Sequence, residues 1–170
     1  MGLFDKYLKK EEVNLPELNV SDEEIVAVAD GNLIDVTTVS DPVFAEKMMG
    51  DSIAFQYPGE KVTLCSPANG TLTVLFPTGH AFGITMNNGV ELLIHCGVNT
   101  VEANGAGFRL LKKKQGDAVI AGDPIVEVDL KTLSQKYDMS TMLIITNANN
   151  QTIRFKGPCP VKRGDSVIKH

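Results

Sequence analysis

The sequence predicts an all-β fold: an antiparallel β-sandwich or barrel built of two related β motifs, with one or two short helices. Three observations point to it. From Ile25 onward, short runs rich in Val, Ile, Thr and Leu recur, broken by Gly, Asn, Asp and Pro at intervals of roughly 8–12 residues. Only two stretches carry a helical texture, too few for a βαβ sheet. The chain also half-repeats itself. Asp30-Gly31-x-Leu33 returns as Asn69-Gly70-x-Leu72, and Gly116-Asp117-x-Val119 returns as Gly164-Asp165-x-Val167. Two such motifs packed face to face would make one sandwich.

Taken in order, residues 1–24 are expected to be a flexible tail. Its second half, residues 11–24 (EEVNLPELNVSDEE), is acidic, contains Pro16 and keeps no period, as a tether does. Residues 2–10 (GLFDKYLKK) place Leu3, Phe4, Tyr7 and Leu8 at helical spacing, with Lys6, Lys9 and Lys10 toward the other side. Two readings stay open there: a short amphipathic helix in weak contact with an anionic membrane surface, or a frayed terminus. Position 6 is Lys6 rather than Ser or Thr, so the Met-Gly start is not a myristoylation site. Residues 25–170 are expected to form one domain. IVAVA and LIDVTTV open it as strands. Residues 42–49 (PVFAEKMM) read as a helix, with Gly50 as its stop signal. SIAFQY, KVTLC, TLTVLF, AFGITM, VELLIHCGV, AVIAG and PIVEVD follow as strands. Residues 130–137 (LKTLSQKY) read as the second helix, and MLIIT and SVIKH close the domain as strands.

A length of 170 residues fits one domain with a full core. With 43% hydrophobic residues, wholesale disorder is excluded, and no run approaches the ~18 apolar residues of a membrane-spanning helix. The net charge of −5 makes a general nucleic-acid binder a poor reading. Cys65, Cys96 and Cys159 are odd in number and hold no C-x-x-C pair, so neither a disulfide framework nor a Cys-rich zinc site is expected. Residues 1–10 lack a continuous apolar stretch of the signal-peptide kind, and the reading is a reducing, cytoplasmic compartment. The charge is also polarised. Residues 41–108 carry Lys47 and Lys61 against six acids, whereas residues 109–170 carry 11 basic and six acidic groups.

Chemistry-bearing residues are few. The histidines are His80, His95 and the terminal His170. In a strand, neighbours alternate faces, so Glu91, Leu93 and His95 share one face, and Leu92, Ile94 and Cys96 the other. His95 thus reads either as a buried histidine satisfied by a carbonyl or as a group for proton or group transfer. Cys96, pointing the other way, reads as core packing. A metalloprotease of related architecture needs an H-x-x-x-D and an H-x-H, and Ile84 and Gly97 break both. Lys47 between Glu46 and Met48-Met49 has a superficial likeness to a biotinyl or lipoyl site, but it lies in a helix-like stretch. No Ser sits in a nucleophile elbow. Pro42, Val43, Phe44, Met48 and Met49, alternating with Asp41, Glu46 and Asp51, read either as a core-facing stripe or as a Met-rich docking surface.

Four segments carry a family resemblance: DPVFAEKMMGDSIAF, SPANGTLTVLFPTGHAFGI, GVELLIHCGVNTVEANGAGF and GDAVIAGDPIVEVDL. In that order and spacing, residues 25–170 resemble the glucose-family enzyme IIA of the bacterial phosphoenolpyruvate-dependent sugar phosphotransferase system, and the MGLFDKY start resembles that of stand-alone members. The resemblance implies a β-sandwich phosphocarrier. It implies that His95 accepts phosphoryl from the phosphocarrier protein HPr and passes it to a cysteine of an enzyme IIB domain. By the same resemblance His80 stabilises the phosphoryl group and Thr78 orients His80. Phe44, Phe76 and Leu93 match the apolar docking surface, and Asp41 an acidic position beside the site; with Val43, Met48, Met49 and Asn99 they are the expected partner-binding residues. Asn99 stands where an Asp is usual, Cys96 replaces a larger apolar residue and Leu93 an aromatic one. No cofactor is expected. No metal is expected in the isolated chain, although His80 and His95 could hold zinc with a third ligand from a partner. Regulated metabolic enzymes or transporters are further partners the family implies. The alternative is a regulatory module of the same fold that docks partners without turnover.

Overall fold

All strand pairings are antiparallel, as the alternation of short polar-and-apolar runs with tight turns dictates. The computed structural model describes residues 13–170, so the helix expected at residues 2–10 lies outside the described residues. The strands are β1 (Gly31–Ile34), β2 (Asp51–Gln56), β3 (Lys61–Cys65), β4 (Gly70–Leu75), β5 (Ala81–Met86), β6 (Glu91–Cys96), β7 (Phe108–Leu110), β8 (Ala118–Val119), β9 (Pro124–Asp129), β10 (Thr141–Asn147) and β11 (Cys159–Val161). They form an eight-stranded sheet ordered β11-β1-β2-β10-β6-β5-β4-β8 and a three-stranded sheet ordered β3-β9-β7. The result is a mostly antiparallel β fold with two short helices, and the sheets do not close into a barrel.

The sequence half-repeat has a structural counterpart. The order of the large sheet is the same from either end: β11-β1-β2-β10 mirrors β8-β4-β5-β6. Gly31 pairs with Val161 as Gly70 pairs with Val119. The Asp30 carboxylate accepts from Arg163 N, and the Asn69 side-chain oxygen accepts from Ala121 N, both at 2.8 Å. Two details differ from expectation. The two motifs join edge to edge through the β6–β10 pairing rather than only facing each other. And the counterpart of Gly164-Asp165 is Gly122-Asp123, not Gly116-Asp117: Gly164 N donates to Ala27 O, and Gly122 N to Ser66 O. The likeness of Gly116-Asp117 comes from a shared turn chemistry. In all three turns the Asp carboxylate accepts the backbone N–H three residues earlier.

Residues 13–24, expected as a tether, form neither helix nor strand, but from Pro16 onward they are laid on the domain. Pro16 O accepts from Arg163 Nη2 at 2.7 Å, and Val20 O from Asn69 Nδ2 at 2.8 Å. Leu18 sits against the two equivalent turns. A Cβ added to Gly122 or to Gly164 would lie 2.7 Å from Leu18 Cδ1.

Both helices are shorter than the sequence suggests. The first, α1, spans Pro42–Ala45, capped by Asp41, whose carboxylate accepts from Val43 N. It ends because Lys47 takes a positive φ of 55° and the chain turns back toward Gly50. The second, α2, spans Leu130–Leu133 and is capped by Asp129. Two 3-10 turns, Val36–Thr38 and Thr100–Ala103, carry no helical signal in the sequence.

β10 explains how the core is divided. Its Leu143 and Ile145 belong to the main core, while Met142 and Ile144 belong to a smaller apolar cluster with Val36, Val39, Phe44 and Val98. Burial on both faces is why MLIIT reads as a continuous apolar run. On the neighbouring β6, Leu92, Ile94 and Cys96 are buried, whereas Leu93 and His95 are only half-buried. His95 therefore lies on the face of the smaller cluster, beside α1.

Candidate functional site

The register of the β5–β6 hairpin brings the two histidines together. Ala81 pairs with His95, so His80 lies one residue beyond the end of β5, and its carbonyl accepts from Cys96 N at 2.7 Å. The loop before it is tight: Gly79 takes φ 77° and its N–H donates to Phe76 O. The imidazole rings of His80 and His95 are 5.3 Å apart between centroids, at 76° to one another.

Each ring is held by one nitrogen. His95 Nδ1 lies 2.8 Å from Gly97 O. A carbonyl can only accept, so Nδ1 carries the proton and Nε2 keeps its lone pair. Gly97 sits at φ 81°, and a Cβ there would come within 2.4 Å of Thr100 Cγ2. Glycine is needed to aim this carbonyl back at the ring. His80 Nδ1 lies 2.6 Å from Thr78 Oγ1, a hydroxyl that can donate to or accept from it. Aromatic rings flank the pair: Phe44 tilts on His95 at 4.9 Å, and Phe76 stands edge-on to His80 at 5.0 Å.

Both histidines are biased to the neutral form. Burial, helped by the neighbouring His80, lowers His95 to about 4, against the opposing pull of the Gly97 carbonyl and the Asp41 charge. Burial lowers His80 as well. On the other face of β6, burial pushes the Cys96 thiol up to about 12, so it is not a competing nucleophile; Thr141 Oγ1 donates to its Sγ. Among the described residues no group of three or more His, Cys, Asp or Glu is placed to hold a metal ion. No helix among them is long and apolar enough to cross a membrane.

A buried neutral histidine sets a pH dependence. The unfolded chain binds the proton first, at the ordinary value of 6.5, while folded His95 resists until about 4. Its contribution to stability is therefore complete above pH 6.5 and is lost as pH falls toward 4. Urea unfolding at pH 7 and pH 4 should show wild type losing about 3 kcal/mol more than His95→Gln. Equal losses in the two proteins would mean that His95 is not held neutral.

The docking residues expected from the sequence do not all play the same part. Val43, Met48, Met49 and Phe76 are exposed, Met48 most of all at 68%. Phe44, expected on the docking surface, is buried instead: its ring covers His95 and belongs to the smaller apolar cluster. Leu93 is half-buried in the same cluster. Asp41 both caps α1 and acts on His95 by its charge. Asn99 is exposed and takes φ 61°, a conformation that Asn tolerates well. Val101, on the 3-10 turn that follows, is 52% exposed.

A family model described as phosphoenolpyruvate-dependent sugar phosphotransferase system, EIIA 1, matches residues 23–151. The PTS system glucose-specific EIIA component of Haemophilus influenzae is 35% identical over 169 residues, 99% of this chain and 97% of that protein. The PTS system glucose-specific EIICBA component of Staphylococcus carnosus is 39% identical over 145 residues, 85% of this chain, and the chain spans only 21% of that protein's length. Among solved structures, the glucose permease IIA from Mycoplasma capricolum matches with a TM-score of 0.79 and 36% identity, over 92% of this chain and 98% of that one. Sequence, relatives and shared fold together show that the chain belongs to the EIIA 1 family of the phosphoenolpyruvate-dependent sugar phosphotransferase system.

Proposed function

We propose that the chain is a cytoplasmic phosphocarrier whose His95 accepts a phosphoryl group from HPr and passes it to a cysteine of an enzyme IIB domain. The observation that carries this reading is the His95 ring: neutral, tied at Nδ1 to the Gly97 carbonyl, and beside His80. Phosphoryl transfer between proteins asks for a nucleophile, in-line placement and stabilisation of charge on the transferring oxygens. Nε2 of His95 is the nucleophile. When it takes the phosphoryl group, the ring keeps the Nδ1 proton and becomes cationic, and the Gly97 carbonyl stabilises that form. His80, held by Thr78, donates a hydrogen bond to the phosphoryl oxygens. The name of the Staphylococcus carnosus relative, an EIICBA component, supports an enzyme IIB partner.

Docking is assigned to Val43, Met48, Met49 and Phe76, with Asp41 supplying negative charge beside the nucleophile. A partner with basic groups around its own phosphohistidine would be captured quickly and released easily. Transfer from HPr is therefore expected to slow several-fold as salt rises from about 50 to 500 mM, by screening. A rate indifferent to salt would contradict electrostatic capture.

The phosphocarrier reading is tested by incubating the protein with enzyme I, HPr and phosphoenolpyruvate. One acid-labile phosphate per chain is expected. Failure to take up phosphate would leave a docking module without turnover.

A further inference from the structure

We propose that Asp138 is a positioning residue for His95, clamping the turn that supplies the ring's hydrogen-bond acceptor to the start of the helix that covers the ring. The inference rests on the phosphocarrier reading of His95.

Asp138 lies in the loop between α2 and β10, a stretch that neither charge nor motif marks in the sequence. Its side chain works in two directions. Oδ1 accepts from Ser140 N at 3.0 Å and from Ser140 Oγ at 2.7 Å, closing its own turn. Oδ2 accepts from Ser40 Oγ at 3.2 Å, across 98 positions of sequence. Burial opposes the charge, but the bonds from Ser140 and Ser40 outweigh it and hold the carboxyl below the usual range.

The turn so closed grips the segment behind His95. Asp138 O accepts from Val98 N at 2.8 Å, and Ser140 O accepts from Gly97 N at 2.9 Å. Both peptides that follow Cys96 are thereby fixed, and the Gly97 carbonyl is the group that holds His95 Nδ1. At the other arm, Ser40 directly precedes Asp41, the cap of α1, and α1 carries Phe44 against the His95 ring. One carboxylate therefore joins the two supports of the nucleophile: the acceptor that sets its tautomer and the helix that packs on its face. The link from Asp138 to His95 passes through the Val98 N–H and the Gly97 carbonyl, so the effect runs through the backbone.

The physical consequence is geometric. In-line transfer is sensitive to misplacement of the attacking atom by as little as about 1 Å. Loosening the 138–140 turn frees the Gly97 carbonyl, and the ring then samples the tautomer with the proton on Nε2, which cannot attack.

The test compares wild type, D138A and D138N, with histidine ring nitrogens read by 15N NMR in the unphosphorylated protein and transfer from phospho-HPr read separately. Wild type should show His95 with a single proton-bearing Nδ1. D138A should show a mixture of tautomers, a shifted His95 titration, and a transfer rate reduced at least about tenfold. D138N keeps an oxygen for Ser140 and an amide that can donate to the Ser40 hydroxyl, losing only the long 3.5 Å bond from Ser40 N, so it should recover most of both signals. A D138A protein with the wild-type nitrogen signature and the wild-type rate would overturn the proposal, as would a D138N protein as impaired as D138A. If D138A does not fold, Ser40→Ala decides. It cuts only the arm to α1, and a wild-type transfer rate in that variant would overturn the clamp. A wild-type protein that takes no phosphate from HPr would sink the phosphocarrier reading instead, and leaves the nitrogen measurement standing.

Discussion

Replacing His95 with alanine is expected to abolish phosphate acceptance from phospho-HPr while leaving the protein folded. The side chain is half-buried at the end of β6, with Leu92, Ile94 and Cys96 anchoring the strand on the other face. Removal of the imidazole therefore takes away a nucleophile without opening the main core. No other group in the site can substitute. His80 is 3% exposed, and its Nδ1 is engaged by Thr78. Cys96 faces the opposite way with its thiol pushed up to about 12. His170 is at the far end of the chain and pairs with Glu24 at 2.9 Å. The loss should be complete by phosphate incorporation, with an unfolding midpoint close to wild type. Normal incorporation in His95→Ala would end the assignment of this residue.

The second large effect separates acceptance from delivery. His80→Gln is expected to take phosphate from HPr and to pass it on poorly, with transfer to enzyme IIB reduced on the order of 10²- to 10⁴-fold, as for loss of a general base. The asymmetry follows from proton accounting. Transfer from a histidine to a histidine moves no proton to or from His80, and an amide N–H from Gln can support the phosphoryl oxygens. Transfer to a cysteine requires the acceptor thiol to lose a proton. An imidazole can receive it at Nε2 when the Thr78 hydroxyl accepts from Nδ1–H, the tautomer opposite to the one that donates to the phosphoryl oxygens, and an amide cannot. The measurement is a single-turnover rate of each half-reaction with purified partners. Onward transfer at the wild-type rate would show that His80 has no part in delivery.

Much of this was legible in the chain, and the reasons can be traced to particular residues. The alternation in VELLIHCGV put His95 and Leu93 on one face, and the structure shows those two half-buried while their neighbours are buried. AFGITM and PIVEVD became β5 and β9 residue for residue: AFGITM lies between Gly79 and Gly89, and PIVEVD runs from Pro124 to Asp129, the cap of α2. The echo between Asp30-Gly31 and Asn69-Gly70 marked a real equivalence, because both side chains accept the same kind of backbone bond.

Other features were hidden for physical reasons. β7 is three residues long and follows a glycine-rich stretch. It exists through pairing with β9, where Arg109 meets Glu127 at 3.1 Å. β11 contains Pro160, which argues against a strand, yet it lies at the sheet edge where proline is tolerated. The helix expected over residues 42–49 stops after one turn because Lys47 adopts a left-handed backbone, which its side chain does not advertise. In the site, the two rings and Thr78 were readable, and the supports of His95 were not. The Gly97 carbonyl is a backbone atom that every residue possesses, and only the positive φ turns it toward His95. Asp138 reaches Ser40 through a fold-level contact between distant segments.

The central claim is that Nε2 of His95 carries the phosphoryl group because the Gly97 carbonyl holds Nδ1. The direct measurement is nitrogen and phosphorus NMR of protein labelled with 15N in histidine and phosphorylated through HPr. A single phosphorus resonance coupled to Nε2 of His95, with Nδ1 still protonated, is the predicted result. A phosphate on Nδ1, or on any residue other than His95, would contradict it.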